Sequence, residues 1–216
     1  MRQRLGQHLA RISEILREMG REVEYNLKQT LDALINLDKE KAQAIIQNDQ
    51  KINDLERQVD DECVRIITTQ QPVAKDLRKV IAAIKVATDL ERIADLTVDI
   101  AKIILRIEGP FIKPLIDIPK MAELAVKMTE RSLMAYNNED LEMALQLAAD
   151  DDQVDALYNQ ILRDLYALMS KNPQTLNQGL YLAFIGRYIE RIADHATNIG
   201  ESVFYILSAE HKDLNV

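Results

Sequence analysis

Apolar residues recur at intervals of three and four through almost the whole chain, and that spacing predicts helix nearly end to end. Leu5, Leu9, Ile12, Leu16 and Met19 open a first stripe that continues through Val23, Leu27, Leu31, Leu34 and Ile35. Asn36-Leu37-Asp38 interrupts it, with Asp38 placed as N-cap of the next helix. That second helix carries Ala42, Ile45, Ile52, Leu55, Val59, Ile66 and Ile67 and ends at Gln70-Gln71-Pro72. Pro72 suits the first turn of a third helix, where a missing N–H costs nothing, and this helix runs to about Ile107. Gly109 to Pro119 then concentrates three of the five prolines and is predicted to be a linker. After it the order repeats. A helix covers 120–136, a second starts near Glu139, and a third follows Lys171-Asn172-Pro173 and ends around Ala209.

The two halves align as sequence. Asn36-Leu37-Asp38 matches Asn138-Glu139-Asp140 at an offset of 138 − 36 = 102, and Asp49 and Ile52 match Asp151 and Val154 at the same offset. Pro72 matches Pro173 at 173 − 72 = 101, so small deletions in the second half account for the drift. Short turns between long helices favour antiparallel neighbours. The expected fold is all-α: two pseudo-symmetric three-helix bundles, six long helices in all, produced by internal duplication. The expected boundaries are 1–108 for the first repeat, 109–119 for the linker and 120–216 for the second. The first helix is about ten residues longer than its counterpart, enough to lap over the junction between halves.

Composition narrows the function. Net charge is −8, from 35 acidic and 27 basic residues, so non-specific attraction to nucleic acid or anionic lipid is disfavoured. No apolar run approaches the length of a membrane span, residues 1–20 lack the apolar core of a signal peptide, and the expected compartment is the cytoplasm. A lone cysteine, Cys63, neither staples the fold nor completes a thiolate metal site. Aromatics are lopsided, with six of seven tyrosines after residue 135. Packing is the first explanation for them and an interface patch the second.

One phrase occurs twice. Glu91-Arg92-Ile93-Ala94-Asp95 and Glu190-Arg191-Ile192-Ala193-Asp194 are identical, 190 − 91 = 99 residues apart, and each continues at the same spacing to Asp99 or Asn198. On a helix these positions stack three oxygen-bearing side chains on successive turns of one face. Leu90, Ile93, Thr97, Ile100 and Ile104 form the opposite, apolar face, as do Ile189, Ile192, Ala196, Ile199 and Val203 in the second copy. The carboxylates are therefore expected on the outside of the bundles or in a groove beside them.

Like charges at i, i+4 oppose a helix by a few tenths of a kcal/mol per pair. No Lys or Arg stands at i+4 from Glu91, Asp95, Glu190 or Asp194. A shared cation would turn that repulsion into coordination. Asp49, and Asp151 with Asp155, are weaker candidates from the neighbouring helix. An all-oxygen donor set suits iron, manganese, magnesium or calcium better than zinc. No histidine follows a Glu at the spacing of a di-iron bundle, and no phosphate loop or nucleophile–base pair is present, so the chain reads as no enzyme. A purely structural helical-repeat protein is the competing reading. It explains the bundles but not the repeated acidic phrase.

The twin motifs, the segment Gln71-Pro72-Val73-Ala74-Lys75-Asp76-Leu77-Arg78, and the run Asp89-Leu90-Glu91-Arg92-Ile93-Ala94-Asp95 together resemble the PhoU family, and the similarity covers nearly the whole chain. The resemblance implies multinuclear metal clusters on the bundle surface, with Glu91, Asp95 and Asp99 at the first site and Glu190 and Asp194 at the second. It implies a cytoplasmic, often dimeric adaptor that lowers phosphate uptake and silences the starvation response, peripheral to the membrane through its partners. Those partners would be the ATPase subunit of the phosphate ABC transporter and a membrane sensor histidine kinase. Two departures from symmetry stand out: Asn198 replaces Asp99, and Glu201 replaces Lys102, so Glu201 is expected to supply the missing carboxylate.

Overall fold

The computed structural model describes residues 2–215, so residues 1 and 216, the outer ends of the two expected repeats, lie outside it. Among the described residues there are seven α-helices and no strand: α1 (Arg2–Asn36), α2 (Lys39–Gln47), α3 (Gln50–Gln70), α4 (Ala74–Arg106), α5 (Asp117–Asn138), α6 (Leu141–Lys171) and α7 (Leu176–Ser208). A 3₁₀ turn, Pro173–Thr175, leads into α7. In the first half α1 packs on the α2–α3 segment and on α4; in the second α5, α6 and α7 pack together in the same way.

The turn after the first helix of each half shows the duplication at atomic level. Leu37 and Glu139 both adopt the left-handed conformation, each at φ 50°. Asp38 N–H donates to Ala33 O and Asp140 N–H to Ala135 O, both at 2.9 Å, closing the end of the preceding helix. The Asp38 carboxylate then accepts from Lys41 N–H at 2.9 Å, and Asp140 from Met143 N–H at 3.0 Å. Asp38 is the N-cap expected from the sequence, and Asp140 fills the same role at the aligned position.

Three details differ from expectation. The second helix of the first half is interrupted at Asn48–Asp49, whereas its counterpart α6 runs unbroken. Ala148-Ala149 carry α6 through that point, while the first half has Ile46-Gln47 before Asn48, a weaker helix former. Pro72 does not open a helix: it sits between Gln71, left-handed at φ 48°, and Val73, the extended N-cap of α4. The irregular connection between halves is 107–116, because Pro119 falls in the first turn of α5, where it is tolerated.

One large apolar core runs through both halves, with a small satellite of Ala135, Ala144 and Val203 beside it in the second. Its spine is the pair of 33-residue helices α4 and α7, which pack against each other, while α1 packs against its counterpart α5. Every helix at the junction thus meets its own duplicate, the pattern of a twofold-related contact. Residues 9–13 of α1 reach that junction, facing Lys79 of α4, Tyr136 to Glu139 at the end of α5, and Ile206 of α7. Equivalent side chains latch the two ends. Arg78 Nε donates to Ile206 O at 3.1 Å, while Gln178, 178 − 78 = 100 residues later, donates to Pro110 O at 3.2 Å and accepts from Ile112 N–H.

Both predicted apolar stripes are buried, and Leu90 has no exposed surface at all. Leu90→Ala is therefore expected to cost about 2–5 kcal/mol in urea unfolding. Asp95→Ala, five residues along the same helix but on its outer face, should lie within about 0.5 kcal/mol of wild type. Equal losses for the two would show the acidic face to be a packing surface.

Candidate functional site

The acidic phrases of α4 and α7 do not stand alone on their helices. The α2–α3 junction brings Asp49 beside Asp95 and Glu91, and Glu56, two turns along α3, adds a fourth carboxylate to the same field. In the second half, Asp151 and Asp155 of α6 face Glu190 and Asp194 of α7. Each half thus gathers four carboxylates at the seam between its second and third helical segments. Asp49 and Asp151, paired by the duplication offset, stand in equivalent places in the two clusters, whereas Glu56 and Asp155 have no acidic counterpart.

The second cluster is the deeper. Asp151 is 6% exposed and Glu190 9%. Burial, then the charges of Asp194, Asp155 and Glu190, push the Asp151 carboxyl up to about 7. Burial and Asp194 raise Glu190 to about 7 against the pull of Arg187. Burial also raises Asp194, opposed by Arg187. In the first cluster burial and Asp95 raise both Glu91 and Asp49, and an Asn53 side-chain hydrogen bond to Asp49 works the other way.

Arginines relieve part of this repulsion, from a spacing the sequence reading did not weigh. Arg92 reaches Asp95 at 3.1 Å, and Arg187 pairs with Glu190, both at i, i+3. Even so, Asp151 Oδ1 and Glu190 Oε2 are buried without any hydrogen-bond partner, and Glu91 Oε2 has only a 3.5 Å ion-pair contact from Arg92 Nε. Orphaned buried carboxylate oxygens are costly. These three oxygens, all at the two seams, fit a hard cation that accepts oxygen ligands. No three His, Cys, Asp or Glu side chains among the described residues already stand in a closed ligand arrangement. A cation here would draw the carboxylates in rather than find them assembled.

The remaining sequence candidates go elsewhere. Asp99 is half-exposed and paired with Lys102 Nζ at 2.9 Å. Asn198 donates to Asp89 Oδ1 at 3.2 Å, beside a 2.9 Å His195 Nδ1–Asp89 contact that ties α7 to α4. Glu201 accepts Leu214 N–H at 2.9 Å. Asn198 and Glu201 therefore line the α4–α7 groove and not the second cluster, and Glu201 does not replace a missing carboxylate. Helical spacing sets them on the same side of α7 as Glu190, but they lie about two and three turns further along, past the seam with α6. Glu56 was missed because its partner by offset, 56 + 102 = 158, is Tyr158. The signal available was its i+7 spacing from Asp49.

The aromatic-rich second half does not pack all its rings. Phe184 is 53% exposed, stacks on Tyr188 at a centroid distance of 6.4 Å, and continues a line with exposed Leu176 and Leu180 along α7.

Two bundles, each with a carboxylate cluster at the same seam, have a match among known families. The PhoU domain model fits this chain twice, over residues 16–104 and again over 118–203. The chain belongs to the PhoU family. A PhoU homolog of Clostridium acetobutylicum, named as a phosphate-specific transport system accessory protein, is 37% identical over 205 residues, 94% of this chain and 93% of that relative. The crystal structure of PhoU from Pseudomonas aeruginosa matches with a TM-score of 0.92 at 34% identity, over 95% of this chain and 99% of that one. The phosphate transport system regulatory protein PhoU from Streptococcus pneumoniae matches with a TM-score of 0.91 at 27% identity, over 97% and 99%. These PhoU relatives are named as accessory or regulatory proteins. No helix among the described residues is long and apolar enough to cross a membrane.

Proposed function

We propose that this chain is a regulatory accessory protein of phosphate transport that lowers uptake and starvation signalling when phosphate is plentiful. It acts by protein contact in the cytoplasm, through the ATPase subunit of a phosphate ABC transporter and a membrane sensor histidine kinase, and it works as a homodimer. The observation that carries the reading is the match to PhoU relatives over nearly the full length of both chains, with the repeated acidic phrase intact in each half. The exposed Leu176–Leu180–Phe184 line offers α7 a surface for a protein partner.

The two clusters serve as cation sites in this reading. Glu91, Asp95, Asp49 and Glu56 would hold the first group of ions, and Glu190, Asp194, Asp151 and Asp155 the second. A bound hard cation would supply positive charge to neutralise the carboxylates. The chain's own groups set the conditions: the four carboxylates bring the negative field, the buried orphan oxygens supply ligands, and Arg92 and Arg187 compete as resident counter-charges. The repeats expected at 1–108 and 120–216 each contain one such site.

Deleting the gene is expected to derepress phosphate uptake and starvation-gene expression in phosphate-rich medium. Radiolabelled phosphate uptake in the deletion strain and in the strain complemented in trans measures it. Unchanged uptake and expression, in a genome without a second PhoU copy, would remove the regulatory reading.

A further inference from the structure

The segment after α7 does not trail into solvent. Ala209, left-handed at φ 65°, reverses the chain, and residues 210–215 run back along the outer face of α7. His211 stacks flat on Tyr205, with ring centroids 4.6 Å apart and 8° between planes. Lys212 lies over the Phe204 ring at 5.7 Å. Leu214 N–H donates to Glu201 at 2.9 Å, and Thr197 donates to the Asn215 side chain. The Leu214 side chain is 6% exposed, although its neighbours in the segment are open to solvent.

What receives Leu214 is a notch made by a glycine. A Cβ at position 200 would stand 2.7 Å from Leu147 Cδ1, 3.2 Å from Ala144 O and 3.3 Å from Leu214 Cδ1, so only Gly200 leaves room for the leucine between α7 and α6. Beside the notch the groove widens to about 330 Å³, lined by Lys85, Thr88 and Asp89 of α4 and by Asn198, Glu201, Ser202 and Tyr205 of α7, with His211 as its roof. Two backbone donors tie the segment to α7: Glu210 N–H to Ser208 Oγ at 3.0 Å, next to the reversal, and Leu214 N–H to Glu201. The other anchors are side chains: one buried leucine, a stacked imidazole, a cation over a ring and one amide. A short segment held this way opens far more readily than a helix of the core.

We propose that this groove is a receptor for an extended protein segment carrying a ring followed three residues later by a leucine–asparagine pair, and that residues 209–215 occupy it in cis until such a segment displaces them. The chemistry of the occupant defines the partner. The Gly200 notch selects a branched apolar side chain, Glu201 selects a free backbone N–H at that residue, Thr197 selects an amide, and Tyr205 selects a flat ring. The groove lies apart from both acidic clusters, and Glu201 is engaged by it rather than by them.

The test uses the full chain and a fluorescein-labelled peptide of sequence His-Lys-Asp-Leu-Asn, read by fluorescence polarisation. Leu214→Asp should release the cis segment and bind the peptide at least tenfold more tightly than wild type, while a control peptide with Asp in place of Leu binds neither. A melting temperature within a few degrees of wild type shows that the variant is folded. Equal binding by the two chains, or binding by neither, would overturn the proposal. So would a Leu214→Asp chain that ignores the peptide but changes its oligomeric state, which would make the groove a contact between copies. Hydrogen exchange on wild type gives a reading that needs no variant. The Leu214 amide should exchange by local opening at a rate that low urea leaves unchanged. Exchange only through global unfolding would also overturn it.

Discussion

Replacing Glu190 with glutamine should make the metal-free protein more stable at pH 8. Glu190 takes up its proton near 7 in the folded chain and near 4.5 in the unfolded one. The folded state thus holds a proton that the unfolded state has lost across that window. Its contribution is fully present below 4.5 and disappears as pH rises through about 7. Above 7 the buried charge opposes folding by roughly 3 kcal/mol, since each pH unit between the folded and unfolded values is worth about 1.4 kcal/mol. Glutamine keeps the shape without the charge. The value near 7 already contains the pull of Arg187, and hydrogen bonds that the buried amide leaves unmade offset part of the gain, about 1 kcal/mol. A net gain of about 2 kcal/mol corresponds to a melting temperature some 4–8 °C higher for a chain of this size. Asp151→Asn should act in the same direction, since Asp151 is also raised to about 7 and its Oδ1 is unpartnered. Melting curves in chelator at pH 5 and pH 8 check it: the gain should be large at pH 8 and small at pH 5. A variant that melts below wild type at both values would mean that the carboxylate is a structural ion-pair member and not a strained charge.

Much of this arrangement was legible in the sequence because it is local. Asp38 and Asp140 announce their caps through the hydrogen bond that a short acidic side chain makes to its own next turn. The stripes through Leu90 and Ile189 announce their buried faces by spacing alone. The acidic phrase was visible because it occurs twice, and the duplication then pointed to Asp49 and Asp151 on another helix. Where symmetry failed, so did the reading. Glu56 faces Glu91, but its counterpart is Tyr158, so no repeat drew attention to it. Asn198 and Glu201 share the helix with Glu190, yet their surroundings are set by α4 and by a chain reversal at Ala209 that helical periodicity does not encode. Arg92 and Arg187 relieve the repulsion from i, i+3, a spacing at which a basic residue is less conspicuous than at i+4. The interruption at Asn48–Asp49 came from a small difference in propensity between Ile46-Gln47 and Ala148-Ala149, too slight to register beside a continuous apolar stripe.

The account rests on cations collecting at the two seams, and metal should reverse the sign of the charge mutations. In chelator, removing Glu91 and Asp95, or Glu190 and Asp194, takes away mutual repulsion and should be neutral or stabilising, since none of these side chains belongs to the apolar core. With metal the wild type gains RT ln(1 + [L]/Kd), about 2.7 kcal/mol per independent site at a hundredfold excess over Kd. That is roughly 5–11 °C of melting temperature for a chain of this length. Each double variant should forfeit the share of its own cluster. The decisive measurement is the melting temperature of wild type and of the quadruple variant Glu91→Ala, Asp95→Ala, Glu190→Ala, Asp194→Ala, each with chelator and with excess Mn²⁺. The account predicts a large metal-dependent rise in wild type and none in the quadruple variant, whose melting temperature in chelator is no lower than that of wild type. An equal rise in both proteins, or no rise in either, would contradict it and leave the repeated acidic phrase with no part in cation binding.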